Sequence, residues 1–122
     1  MLLTVSDALA SPDAQGKLDG TVKFFFGEAK HPAAAKNFGQ YITNKKTNGV
    51  GKSDETSCTW TFLSAMIELQ ERAHQLGDNA VVNIHSYYKK KDVSIETQVE
   101  CYAGFLMSGV ALKGDFVKLP GK

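Results

Sequence analysis

The residues of this chain whose types and spacing could do chemistry fall into three groups. Asn48-Gly49-Val50-Gly51-Lys52-Ser53 leads into a helical stretch, and Gly-Lys-Ser before a helix is how a phosphate-binding loop ends. In that chemistry backbone N–H groups and Lys52 cradle phosphates at the helix N-terminus, while Ser53 ligates magnesium. Position 46, where such a loop needs its first glycine, is Lys46, and the lead-in Thr43-Asn44-Lys45-Lys46-Thr47 is polar where a buried strand is required. No later predicted strand ends in the acidic residue that would hold the metal. A flexible loop whose Ser53 caps the helix accounts for the same residues. Nucleotide binding through Gly51-Lys52-Ser53 is the remotest reading.

His31, His74 and His85, with Cys58 and Cys101, could ligate a metal. Zinc sites usually carry close pairs, such as two cysteines two to four residues apart, and this chain has none. A metal-binding protein using His74 or His85 is the alternative function; no metal ligand set and no cofactor is assigned. The third candidate is Cys58 as a nucleophile, since the first turns of a helix favour a thiolate. Its inward position and the inward position of Cys101 fit a structural half-cystine better. Closing that loop is worth roughly 4 kcal/mol in an oxidising compartment. No Ser-His-acid set is recognisable, so no catalytic residue is assigned and the chain is read as non-enzymatic.

The elements that position these residues are legible from period. Phe62, Met66, Leu69, Ala73 and Leu76 recur at helical spacing, and extending the stripe back one turn lands on Cys58. Ser53 is the expected N-cap, Asp54 and Glu55 suit the first turn, and Gly77 the left-handed C-cap. A helix over about 54–76 would be roughly 34 Å long. Asp78-Asn79 turns into a strand, with Ala80, Val82, Ile84 and Ser86 expected on one face and Val81, Asn83, His85 and Tyr87 on the other. Lys89-Lys90-Lys91-Asp92 reads as an exposed hairpin connection. On the return strand Val99, Cys101, Ala103, Phe105 and Met107 are expected inward, alternating with Gln98, Glu100, Tyr102 and Gly104, with a bulge or bend at Gly109. The outward Asn83, His85, Tyr87, Glu100 and Tyr102 would form a polar and aromatic face suited to a partner or a second subunit.

Ahead of the helix, a short helix is expected around residues 6–10, a further turn at Asp13-Ala14-Gln15, and a strand from Thr21 to Phe26 ended by Gly27. Phe38, Tyr41 and Ile42 form a short strand or anchor a loop, and residues 43–52 read as an exposed polar loop. The tail 119–122 reads as frayed. With 14 basic and 13 acidic side chains the net charge is +1. That balance gives no sign of a nucleic-acid or acidic-membrane partner. No run approaches the roughly 18 apolar residues of a membrane span, and Met1-Leu2-Leu3-Thr4-Val5 lacks the pattern of a secretory signal.

Ala73-His74-Gln75-Leu76-Gly77-Asp78-Asn79-Ala80-Val81-Val82-Asn83-Ile84, followed by Ser108-Gly109-Val110-Ala111-Leu112-Lys113, resembles the core of the YbjQ-like family. That family reads Leu-Gly-Ala-Asn/Asp-Ala-Val-Val at its helix-to-strand corner and Ser-Gly-Thr-Ala-Val near its end. Asn79-Ala80-Val81, His85-Ser86 and Cys101-Tyr102 are also similar to the RcsF-like group of envelope-stress sensors. The chain as a whole looks closest to small secreted bacterial proteins of unknown function, some labelled as an excinuclease ATPase subunit.

The resemblance covers roughly residues 62–113. It implies an α+β fold with a two-layer β-α-β-β core, one long helix packed on an antiparallel sheet, plus an irregular N-terminal extension. Residues 1–122 form a single domain, with a first strand and loop over 1–52 and the helix plus a two-stranded core over 53–118. A mature periplasmic form, its signal replaced by a start methionine, is expected, with the cysteines paired. With no N-terminal cysteine to carry a lipid, membrane anchoring is not expected. The expected function is a periplasmic binding or interaction module, envelope-stress related. Its partner is an unknown protein or a second copy in a homo-oligomer, with no nucleic acid and no membrane insertion.

Overall fold

A computed structural model of the chain describes residues 1–14, 16–48, 50–51, 53–104 and 106–120. The expectations for Gln15, Lys52, Phe105 and the last two residues lie outside the described residues. The elements run β1 (Leu2–Thr4), α1 (Val5–Ala10), β2 (Lys23–Phe26), β3 (Lys36–Asn48), α2 (Asp54–Leu76), β4 (Ala80–Ser86), β5 (Gln98–Glu100), β6 (Tyr102–Ala103) and β7 (Met107–Lys118).

The class is α+β. A five-stranded sheet has the order β2-β4-β7-β3, with β6 alongside the start of β7, and β1 pairs with β5 in a separate two-stranded sheet. The expected antiparallel sheet is in fact mixed, because β2 runs parallel to β4. Helix α2 covers one face of the large sheet. Cys58, Phe62, Met66, Leu69 and Ala73 pack there against Val81, Ile84, Val110, Leu112 and Phe116. At its start, the Ser53 hydroxyl accepts from Thr56 N–H at 3.1 Å. At its end Gly77 is left-handed (φ 79°), its N–H donating to the His74 carbonyl while Asp78 N–H donates to that of Ala73. These two bonds are the Schellman pattern, which closes the helix and aims the chain into β4.

Three expectations are corrected. Residues 43–48, read as loop, belong to the 13-residue strand β3, which pairs with β7 from Lys36↔Lys118 to Asn48↔Met107. Its helix-facing side is polar yet satisfied: Thr43 donates to Glu68, Thr47 to the Ser57 carbonyl at 3.3 Å, and Lys45 pairs with Glu68 at 3.3 Å. Over residues 43–47 hydrogen bonds to α2, rather than apolar burial, seat this strand, while Phe38 and Tyr41 nearer its start pack against the core.

Second, β4 does not alternate throughout. Its register against β7 shifts between Val82 and His85, and Asn83 sits in left-handed backbone at φ 55°. The bulge puts Val81 and Ile84 together on the helix side, while Ala80 and Val82 join Val117 and Leu119 in a second small core on the opposite side. Third, β4 pairs with residues 112–117 of β7, not with the return strand expected over residues 98–107. Met107 is 48% exposed rather than inward, and Gly109 lies in regular pairing with Lys46 and Tyr102 rather than at a bulge.

Candidate functional site

The sheet face opposite α2 gathers the polar and aromatic candidates, and the bulge at Asn83 decides which of them it holds. Beyond the bulge His85 stands opposite Lys113 of β7. His85 is buried, with Nδ1 2.8 Å from the Asn83 carbonyl and Nε2 2.7 Å from Asp92 Oδ1. Both neighbours are acceptors, so the ring donates to both at once only as imidazolium. Lys113 Nζ donates to the same Asp92 oxygen at 3.3 Å and lies 4.3 Å from the Tyr87 ring centroid. The His85 hydrogen bond first, then Lys113, hold the Asp92 carboxyl below the usual carboxylate range. This cluster pins the connection that follows β4 onto the sheet.

Beyond the cluster the chain makes a tight turn at Tyr88–Lys90, with Lys89 and Lys90 both in left-handed backbone (φ 54° and 64°). Two successive non-glycine residues in that region cost about 1–2 kcal/mol each. The turn lays the Tyr88 ring near Gly109, 3.5 Å from where a Cβ there would stand. Tyr102, paired with Gly109, stacks on Tyr88 at 5.6 Å between centroids and 7° between planes. Beside the stack a cleft of about 290 Å³ is lined by Met1, Leu2, Tyr88, Glu100, Cys101 and Tyr102.

The expected face of Asn83, His85, Tyr87, Glu100 and Tyr102 is thus divided. Asn83 forms the bulge, His85 and Tyr87 are engaged with Asp92 and Lys113, and Glu100 belongs to β5 in the smaller sheet. Tyr102 alone of the five is widely exposed, at 55%. Tyr88, its stacking partner, was not singled out by period, because the turn that presents it breaks the strand pattern.

No family model, curated protein or solved structure matches this chain. The YbjQ-like resemblance therefore rests on its motifs alone.

Those motifs occupy the corner after α2 and the last strand. At the corner, the Asn79 side chain accepts from Leu119 N–H at 2.8 Å and donates to the Leu119 carbonyl at 3.3 Å. Asp78 is buried, both carboxylate oxygens lack a hydrogen-bond partner, and burial pushes its pKa up to about 6. Nearby, the Thr21 hydroxyl donates to Asp19 and lies 2.6 Å from His74 Nε2. That hydroxyl is the main cause holding the Asp19 carboxyl below its ordinary range.

Cys58 and Cys101 are joined by a disulfide with their Cα atoms 5.9 Å apart, so Cys58 offers no thiolate. Among the described residues no three or more His, Cys, Asp and Glu side chains are placed to share a metal. The ring of His31 lies against Phe25 and hydrogen-bonds the Pro32 carbonyl. Of the phosphate-loop residues Ser53 is occupied as the helix cap, and the strand before it, β3, is a sheet edge.

Proposed function

We propose that this chain is a non-enzymatic interaction module of the periplasm that meets its partner at the Tyr88–Tyr102 end of the sheet. The observation that carries this reading is the stacked tyrosine pair. Tyr102 is more than half exposed beside an open cleft, while the neighbouring polar groups of His85, Asp92 and Lys113 are spent on one another. Tyrosines held flat in this way offer a rigid amphipathic contact of the kind interfaces favour. The disulfide is compatible with an oxidising compartment, extracellular or periplasmic. The order β2, α2, β4, β7 supports a YbjQ-like and RcsF-like β-α-β-β core with β3 inserted before the helix, and an envelope-stress role follows from that core reading.

The test is to export the protein with a leader and incubate it with periplasmic and envelope fractions, as wild type and as Tyr88→Ala/Tyr102→Ala. Both rings lie on the surface side of the sheet, so the variant keeps the core. Retention by the fractions, or the sedimentation coefficient if the partner is a second copy, should fall several-fold. Equal retention and equal sedimentation of the two proteins would remove this surface from the function.

A further inference from the structure

We infer that the partner at this end of the sheet is the surface of an anionic phospholipid bilayer, to which the protein docks peripherally. This rests on the Tyr88–Tyr102 end being the interaction surface, and it names what that surface meets. Strand register gathers the relevant residues. Asn48 pairs with Met107 and Ala103 with Ser108, so Val50, just past β3, and Leu106, in the connection from β6 to β7, project at the same end as Tyr102. These apolar side chains are not covered: Val50 is 57% exposed, Leu106 60% and Met107 48%.

Cations surround them. Lys46 pairs with Gly109, directly beneath Tyr88, and the run Lys89-Lys90-Lys91 continues from Tyr88 itself. All four lysines are exposed, and among the described residues none has an ion-pair partner. Glu100, half-buried, is the one acid lining the cleft beside the tyrosines. The whole-chain net charge of +1 hides this local excess.

The combination selects the occupant. A second copy on a two-fold axis would set four lysines against four. A soluble polyanion would satisfy the lysines but leave the apolar tips in water. A bilayer surface answers both, with lysines at the headgroup phosphates, tyrosines at headgroup level and Leu106 and Met107 entering the acyl boundary. Such docking needs no spanning helix, and none of the described helices is long and apolar enough to span.

The experiment is co-sedimentation of the oxidised full chain with vesicles of phosphatidylglycerol and phosphatidylethanolamine in equal amounts, against vesicles of phosphatidylcholine alone. Binding to the anionic vesicles only, abolished by high salt, is expected. Lys46→Glu/Lys91→Glu, which avoids the left-handed positions, should weaken it by at least about 25-fold, at about five-fold per lysine. Leu106→Ser/Met107→Ser should weaken it several-fold with an unchanged circular dichroism spectrum.

No binding to anionic vesicles would overturn the inference. So would binding that ignores Leu106→Ser/Met107→Ser and is competed fully by a soluble polyanion. Capture of a protein through Tyr88 and Tyr102 without vesicle binding would overturn the lipid assignment and leave the interaction-module reading standing.

Discussion

Asp78 follows the helix-closing Gly77, at the position where a Schellman turn ordinarily packs an apolar side chain back on the helix. Here a carboxylate takes that place with neither oxygen bonded. Burial raises its pKa to about 6, above the ordinary 3.8, so the folded chain binds the proton more tightly than the unfolded one. Stability from this group is therefore full below about pH 4 and declines as pH rises towards 6 and beyond. Asp78→Asn should raise the melting temperature by about 4 °C at pH 7.5 and give no gain near pH 4. An equal gain at both values would mean the charge is not the cause. Asp92 has the opposite sign, since its carboxyl is lowered by His85, and its contribution is present at neutral pH and lost only in acid. Neither behaviour could be read from the sequence. The cap and corner residues Ser53 and Gly77 were legible because their roles are local, whereas burial of Asp78 and the pairing of His85 with Asp92 depend on segments that meet only in the fold.

Strand β3 and the bulge of β4 show where element-level reading stops. Period finds a strand by alternating apolar burial, and β3 turns Thr43, Lys45 and Thr47 towards α2 instead, each bonded to it. The same rule found α2 and the buried Phe62, Met66, Leu69 and Ala73 of its stripe, with Leu76 only partly buried, because that helix packs by apolar contact. The bulge has its own counterpart across the sheet. With Val81 and Ile84 on one side, a Cβ on Gly114 would stand 2.8 Å from Val81 Cγ1 and 3.3 Å from Ile84 Cγ1. Both neighbours are fully buried and cannot swing away. Gly114→Ala should cost about 1–3 kcal/mol by overpacking, seen as a lower urea midpoint with unchanged m. An unchanged midpoint would show that β4 can relax at the bulge. Gly114-Asp115 reads in sequence as a turn dipeptide, so the role of Gly114 inside a strand appears only once β4 and β7 are in register.

At the scale of the whole molecule, the charge totals concealed what the fold collects. Lys46 and Lys89 to Lys91 lie more than forty residues apart in the chain, on different elements, and the strand register brings them to one end. The disulfide likewise joins the first turns of α2 to the residue between β5 and β6, locking the smaller sheet to the main core. Its span has a mechanical consequence. Pulled from its two ends, the oxidised chain can lengthen only through the segments outside the Cys58–Cys101 crosslink, because the 43-residue span between the bonded sulfurs carries no tension. In single-molecule stretching the reduced protein should extend by roughly 150 Å more contour than the oxidised one, at about 3.5 Å per residue. Most of α2 and all of β4 would then remain a slack, force-shielded loop in any setting where the two ends are drawn apart.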